Sequence, residues 1–278
     1  MPRTPLAAAM EERLPESIVG HLRALGRLAD ARGTGAYAVG GLVRDLLTSR
    51  GTLDLDVVVE EPADDFADAA AAALDGEVKA RSRFGTVILV LADGAKVDVA
   101  TARSEVYAHP GALPDVRFGP IEADLLRRDF TINAMAIDLL PSAFGELLDP
   151  HGGRRDLEQG VIRVLHERSF TDDPTRVLRA GRFASRFGFT LEAATEQLLG
   201  QAVAGGFLDR VSGERIRNEI ELILRERAPW PAVRSLDERR VLPALAPGWR
   251  LPEGCGAIFR RVEEAVESPA GLDAERWV

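Results

Sequence analysis

Gly40-Gly41-Leu42-Val43-Arg44-Asp45, followed after seven residues by Leu53-Asp54-Leu55-Asp56-Val57-Val58-Val59, is the stretch that decides the fold. The second segment is rich in β-branched residues and reads as a strand. Side chains alternate faces along a strand, so Asp54 and Asp56 are expected to project the same way. Two like charges on one face repel unless a cation lies between them, and hard oxygen ligands suit Mg²⁺. The Gly-Gly pair ends a short apolar strand at 36–39 and opens a helix near 42–48. Such a turn offers backbone N–H groups to phosphate oxygens, with Arg44 on the first helical turn to meet one. Gly-Gly turns are common, and a lone Asp-X-Asp usually marks a solvated strand edge. Together, at this spacing, they read as a metal-dependent triphosphate site.

Outward from this core, apolar spacing alternates between strand and helix periods. Leu14, Ile18, Leu22, Leu25 and Leu28 recur at three and four, predicting an amphipathic helix over 11–30. Residues 63–74 are alanine-rich and helical, and strands are expected near 77–80, 86–91 and 96–100. The pattern is an α+β domain, a mixed sheet with flanking helices. Tyr107–Pro114 holds two prolines and a glycine and reads as a loop. Past about residue 150 the strand signal fades. Helices are expected near 173–187, 191–204, 212–227 and 229–240. The boundary therefore falls near Asp149–Gly153, giving a sheet-bearing domain over 1–150 and an all-α part over 151–278.

The chain has 278 residues, 46% of them hydrophobic, enough for two modest cores. No apolar run reaches the ~18–20 residues of a membrane span, and the N-terminus lacks the pattern of a signal peptide. Cys255 is the only cysteine, which excludes an internal disulfide and a cysteine-built zinc site. A cytoplasmic protein is the expectation. The net charge of −9 argues against a chain that coats nucleic acid everywhere, but not against a local basic groove. Only Lys79 and Lys96 are lysines, so 33 of the 35 basic residues are arginine. Arginine suits bidentate contacts to bases and phosphates, but GC-biased codon usage is the better account of the total, so position must carry the argument.

Three further clusters carry chemistry. Asp98, in Lys96-Val97-Asp98-Val99-Ala100, lies on a strand that could pair beside the first and supply a third carboxylate; the plainer reading is an exposed strand acid. Arg127-Arg128-Asp129-Phe130-Thr131-Ile132-Asn133-Ala134-Met135-Ala136 joins two arginines to a segment apolar enough to be buried. In Asp172-Asp173-Pro174-Thr175-Arg176-Val177-Leu178-Arg179-Ala180-Gly181-Arg182, Pro174 fits the first helical position and makes Asp173 an N-cap. Arg176, Arg179, Arg182 and Arg186 then form one stripe along the helix. Four arginines on one face repel, so the stripe implies an anionic partner or facing carboxylates within the fold.

From about Tyr37 to Leu245 the chain resembles the class II tRNA nucleotidyltransferase and bacterial poly(A) polymerase family, within the polymerase-beta-like superfamily. GGLVRD, DLD, RRDFTINAMAIDL and DDPTRVLRAGRFASRFGF carry the resemblance, and Ser212-Gly213-Glu214-Arg215-Ile216-Arg217-Asn218-Glu219 is similar to the family's neck helix. The resemblance implies a polymerase-beta-like catalytic head followed by a helical neck that selects the nucleotide and a partial body. Asp54 and Asp56 would bind two Mg²⁺ ions; Asp98, read above from its strand alone, is the candidate third catalytic carboxylate. Gly40, Gly41, Arg44 and Arg128 would hold the triphosphate of ATP or CTP. Asp173 and Arg176 would read the base, supported by Arg179 and Arg182. Two departures stand out. Thr48-Ser49-Arg50 replaces a frequent Gly-Arg, and the residues after Leu242-Pro243-Ala244-Leu245 are too few for the family's body and tail.

The implied activity is addition of CMP, AMP or both to the 3′ end of RNA, most simply tRNA, either as full CCA synthesis or as CC or A alone. Poly(A) synthesis on other RNA and a catalytically impaired RNA-binding relative remain as alternatives; transfer to a protein or small molecule fits the motifs poorly. Residues 151–240 hold 16 arginines and 14 acids. A basic RNA-gripping surface must then be local, or supplied by a second subunit of a homo-oligomer.

Overall fold

A computed structural model describes residues 4–48, 54–82 and 85–267. The described residues fall into two compact units. One comprises the residues up to Val106 together with Asp115–Gln159, the other Tyr107–Pro114 together with the residues from Gly160 onward. Among the described residues no helix is long and apolar enough to cross a membrane.

The first unit begins with β1 (Thr4–Pro5), α1 (Ala7–Arg13) and α2 (Glu16–Arg32). The single helix expected over 11–30 is thus two. Leu14 and Pro15 separate them, because proline has no N–H to continue the ladder. β2 (Ala36–Val39), α3 (Gly41–Leu47), β3 (Leu55–Val59) and α4 (Ala63–Ala73) follow. Next come β4 (Glu77–Arg81), β5 (Thr86–Val90), β6 (Lys96–Thr101) and the hairpin β7 (Arg103–Val106) and β8 (Asp115–Phe118). α5 (Ile121–Leu126), β9 (Ala136–Asp138), β10 (Glu146–Leu148) and α6 (Gly153–Gln159) complete it.

Eight strands form one sheet in the order β1-β10-β9-β2-β3-β6-β5-β4. Every pairing in it is antiparallel except β3 with β6. That parallel pair needs a crossover, which α4, β4 and β5 supply. Leu55, Val57, Val59, Val97 and Val99 are fully or nearly fully buried in the centre of the sheet, where Phe66 of α4 packs into the same core. Thr101 Oγ1 accepts the Ala63 N–H at 2.8 Å, satisfying one of the orphan donors at the start of α4.

The second unit carries β11 (Val161–Ile162), α7 (Ser169–Asp172), α8 (Arg176–Phe187) and β12 (Thr190–Leu191). α9 (Ala193–Ala204), α10 (Gly213–Leu224), α11 (Trp230–Glu238), α12 (Val241–Leu245) and α13 (Cys255–Glu267) follow. Strand is not wholly lost past residue 150, since β11 and β12 pair in parallel. The long helix expected from 173 starts later, at Arg176. Asp173 is extended, at φ −129° and ψ 94°, and closes α7 instead of capping α8 from the N-cap position. Val177, Leu178, Ala180 and Phe183 of α8 pack inward with Leu236 and Ala232 of α11.

Candidate active site

The first cluster forms where β2 turns into α3. Gly40 has φ 66° and ψ −122°, a conformation open essentially to glycine alone. A Cβ there would stand 3.2 Å from Arg128 Nη1 and 3.7 Å from Asp56 Oδ2, so the turn, the arginine and the carboxylate share one small space. Asp56 and Asp98 are register partners across β3 and β6 and therefore neighbours on one face of the sheet. Asp54 is exposed and sits one residue before β3, not within it. Leu53, Ser49 and Arg50 lie outside the described residues, as does most of the Thr48-Ser49-Arg50 departure.

The electrostatics of this cluster are those of an anionic pair held beside a cation. Burial and then the Asp98 charge push the Asp56 carboxyl above the usual carboxylate range, Arg128 opposing and Asp54 adding to the rise. Lys96 Nζ lies 2.9 Å from Asp98 Oδ2, while Asp98 Oδ1 is buried with no hydrogen-bond partner. Asp98 is thus half-buried, with one oxygen shielded and the other on the exposed Lys96. Among the described residues no three His, Cys, Asp or Glu side chains are gathered into a ready metal cage. The donor chemistry of the Asp56 and Asp98 pair nevertheless fits a hard cation: an orphaned carboxylate oxygen and mutual repulsion are what such an ion relieves.

Sequence reasoning missed Asp124. Fully buried, it takes Arg127 on Oδ1 at 2.6 and 2.9 Å, and Arg128 on Oδ2 at 2.9 and 3.3 Å. Asp124 therefore holds both adjacent arginines, Arg127 also donating to Glu105 at 3.0 Å. Its spacings of three and four to them were the available signal. Arg44 is buried and turned inward: Nε donates to Asp45 at 2.9 Å and Nη1 to Asn133 at 2.7 Å. Asn133 in turn donates to Asp129 at 2.9 Å, so the network ties α3 to the segment after Arg128.

The remaining residues lie in the second unit. Asp173 Oδ1 accepts from Thr175 N at 3.0 Å, Thr175 Oγ1 at 2.6 Å and Arg215 Nη2 at 2.8 Å. Arg176, also buried, donates Nη1 to Ser169 Oγ at 2.7 Å. Along the stripe, Arg179 Nη1 lies 3.2 Å and Arg182 Nη2 3.6 Å from Glu219. Arg182 Nη1 and Arg186 Nη1 lie 3.6 and 3.7 Å from Glu226. Facing carboxylates within the fold thus meet Arg179, Arg182 and Arg186.

Comparison with known proteins identifies the family. The poly A polymerase head domain family matches residues 36–163, and the probable RNA- and SrmB-binding region of polymerase A matches 188–251. A solved tRNA nucleotidyltransferase in complex with a primer tRNA and an incoming ATP analogue is 39% identical at a TM-score of 0.77, covering 87% of this chain and 68% of that one. The chain belongs to the tRNA nucleotidyltransferase and poly(A) polymerase family. Within this family, an A-adding tRNA nucleotidyltransferase of Geobacter sulfurreducens is 45% identical over 273 residues, 97% of this chain and 31% of that protein. A CCA-adding enzyme in an apo form superposes at a TM-score of 0.92 with 43% identity, over 98% of this chain and 65% of that one. This family member thus spans about a third of its A-adding relative.

Proposed function

We propose that this chain carries the catalytic and nucleotide-selecting part of a tRNA nucleotidyltransferase, adding AMP, CMP or both to the 3′ end of tRNA in the cytoplasm. The observation that carries the reading is the in-register pair of Asp56 and Asp98 beside the Gly40 turn and Arg128. In the reaction the primer 3′ oxygen bonds to the α-phosphorus of ATP or CTP, and pyrophosphate leaves. Asp54 and Asp56 are the proposed ligands of two Mg²⁺ ions, with Asp98 alongside to share the charge or accept the hydroxyl proton. Bound Mg²⁺ would supply a Lewis acid for the phosphates and lower the pKa of the attacking hydroxyl. Gly40 and Gly41 let phosphate oxygens approach backbone N–H groups. Arg128, aimed by Asp124, takes part of the triphosphate charge, and Arg44 braces the same turn.

Asp173 and Arg176 are the proposed base readers. Adenine and cytosine each present an exocyclic amine beside an unprotonated ring nitrogen, suited to one acceptor and one donor. Guanine and uracil present a carbonyl and a ring N–H there, so both contacts fail. A good pairing of this kind is worth roughly 1–3 kcal/mol. Arg179 and Arg182 support the reading helix. The similarity to an A-adding enzyme favours AMP as the nucleotide added.

The test is incorporation of each of the four nucleotides into tRNAs ending before, within and after CCA, by the wild type and by Asp54→Ala. Incorporation confined to ATP and CTP, and lost in a folded Asp54→Ala protein, is the expected result. Full activity in that variant would remove Asp54 from the site, and labelled nucleotide that binds without ever being incorporated would favour a non-catalytic RNA-binding protein.

A further inference from the structure

Arg215 has no role in the site as assigned so far, yet it makes the long-range contact to the base-reading carboxylate. Its Nη2 donates to Asp173 Oδ1 at 2.8 Å from a position 42 residues along the chain, whereas the other two donors to that oxygen both belong to Thr175. We infer that Arg215 is a positioning residue that sets the orientation of Asp173 and through it the choice of base; this rests on the reading of Asp173 above.

The geometry argues as follows. Three donors on Oδ1 leave that oxygen no room for a further partner and hold the carboxylate plane. Among the described residues nothing donates to Oδ2, which leaves it as the acceptor for an exocyclic amine. Thr175 follows Asp173 by two residues and moves with it, so its bonds cannot hold the carboxylate in place within the unit. Arg215 can, because it is anchored elsewhere. It lies in the first turn of α10, where its N–H meets Ser212 Oγ. Its Nη1 donates to the Gly111 carbonyl at 3.3 Å.

Gly111, in the loop grouped with this unit, has φ +74°, and a Cβ there would stand 2.8 Å from the Arg210 carbonyl. The acceptor is thus held by a backbone approach only glycine permits. The planar guanidinium spans Asp173 and Gly111 at once, a fork that the point charge of lysine does not reproduce. With about a quarter of its side chain exposed, against a fifth of that of Asp173, the pair is half-buried and accessible to a base.

The test uses the full chain, a tRNA primer and single nucleotides, comparing Arg215→Met, Arg215→Lys, Asp173→Ala and the Arg215→Met/Asp173→Ala double variant. Selectivity is the ratio of kcat/KM for ATP or CTP to that for GTP or UTP. Arg215→Met is expected to lose about 5- to 150-fold in this ratio with the KM for tRNA unchanged. Arg215→Lys should lose less, and the double variant should be no less selective than Asp173→Ala. If Arg215→Met does not fold, a loss of selectivity in Arg215→Lys supports the inference and its absence overturns it. Retained selectivity in folded Arg215→Met, while Asp173→Ala loses it, overturns the role of Arg215 alone, as do independent effects in the double variant. Retained selectivity in Asp173→Ala overturns the base-reading assignment itself.

Discussion

Replacing Glu219 by alanine should destabilise the protein by about 2–3 kcal/mol. Glu219 is 9% exposed and faces Arg179 at 3.2 Å and Arg182 at 3.6 Å. Removing one partner of a buried ion pair costs roughly 3–5 kcal/mol, because the opposite charge stays desolvated. Two features lower that figure here. Arg179 retains 30% side-chain exposure, and Glu226 still faces Arg182, so ~2–3 kcal/mol remains after discounting for solvent. In a chain of this size that corresponds to a fall in Tm of very roughly 5–10 °C. Urea unfolding of the wild type, Glu219→Ala and Glu219→Gln measures it, with glutamine losing about half as much because it keeps an acceptor for Arg179. A double variant, Glu219→Met with Arg182→Met, should recover much of the loss, since two apolar side chains of similar volume replace the facing charges. A loss below about 1 kcal/mol in Glu219→Ala, or strict additivity in the double variant, would refute the argument.

Gly40→Ala should cost about 1–3 kcal/mol for its backbone conformation and abolish incorporation by crowding Arg128. Gly33→Ala, at φ +68° with open space around it, should cost about 1 kcal/mol and leave incorporation intact; equal activities in urea-tested, folded variants would contradict this. Asp98→Asn in EDTA should stay within about 1 kcal/mol of wild type in urea unfolding, the relieved repulsion with Asp56 offsetting the lost Lys96 pair. Its incorporation rate should nevertheless fall, and a full rate would remove Asp98 from the site. Burial, then Arg176 and Arg168, hold the His166 imidazole below its ordinary pKa against Asp172, and burial lowers His151 against Asp149. Folded pKa values below the unfolded value mean that the unfolded chain binds more protons. Stability is therefore present above about pH 6.5 and lost as pH falls below it, by at most ~1.4 kcal/mol per pH unit for each imidazole. Urea midpoints for His166→Asn should fall less on acidification than those of wild type, and parallel curves would sink the attribution.

What a single sequence exposes depends on how local the cause is. The Gly40 turn and the strand after Asp54 were legible because glycine pairs and β-branched runs act within a few residues. The break at Pro15 was legible in principle by the same logic, but the apolar spacing across it masked two helices as one. Asp98 pairing beside Asp56 was an expectation that needed the crossover through α4, β4 and β5, and the strand register places it there. Asp124 and Arg215 were visible letters without visible roles. One works through a helix turn that closes on two arginines. The other works across 42 residues, a separation on which local periodicity is silent.

The arginine stripe shows the same limit from the other side. Its spacing left two answers open, an outside anion or carboxylates within the fold. Arg179 and Arg186 are seven residues apart, and so are Glu219 and Glu226. Two helical turns separate Arg179 from Arg186 on α8, while Glu219 lies on α10 and Glu226 two residues beyond its end; Arg182 lies between them to reach both acids. The match was written in the chain, but nothing local says which two segments face each other. Once they do, the consequence is physical. A guanidinium facing a carboxylate contributes less to counterion release on RNA than one facing solvent. The stripe therefore serves first to hold α8 against α10. α8 begins at Arg176, three residues after Asp173, and α10 begins two residues before Arg215, so the same ion pairs hold the helix that carries Arg215 against the helix that follows Asp173.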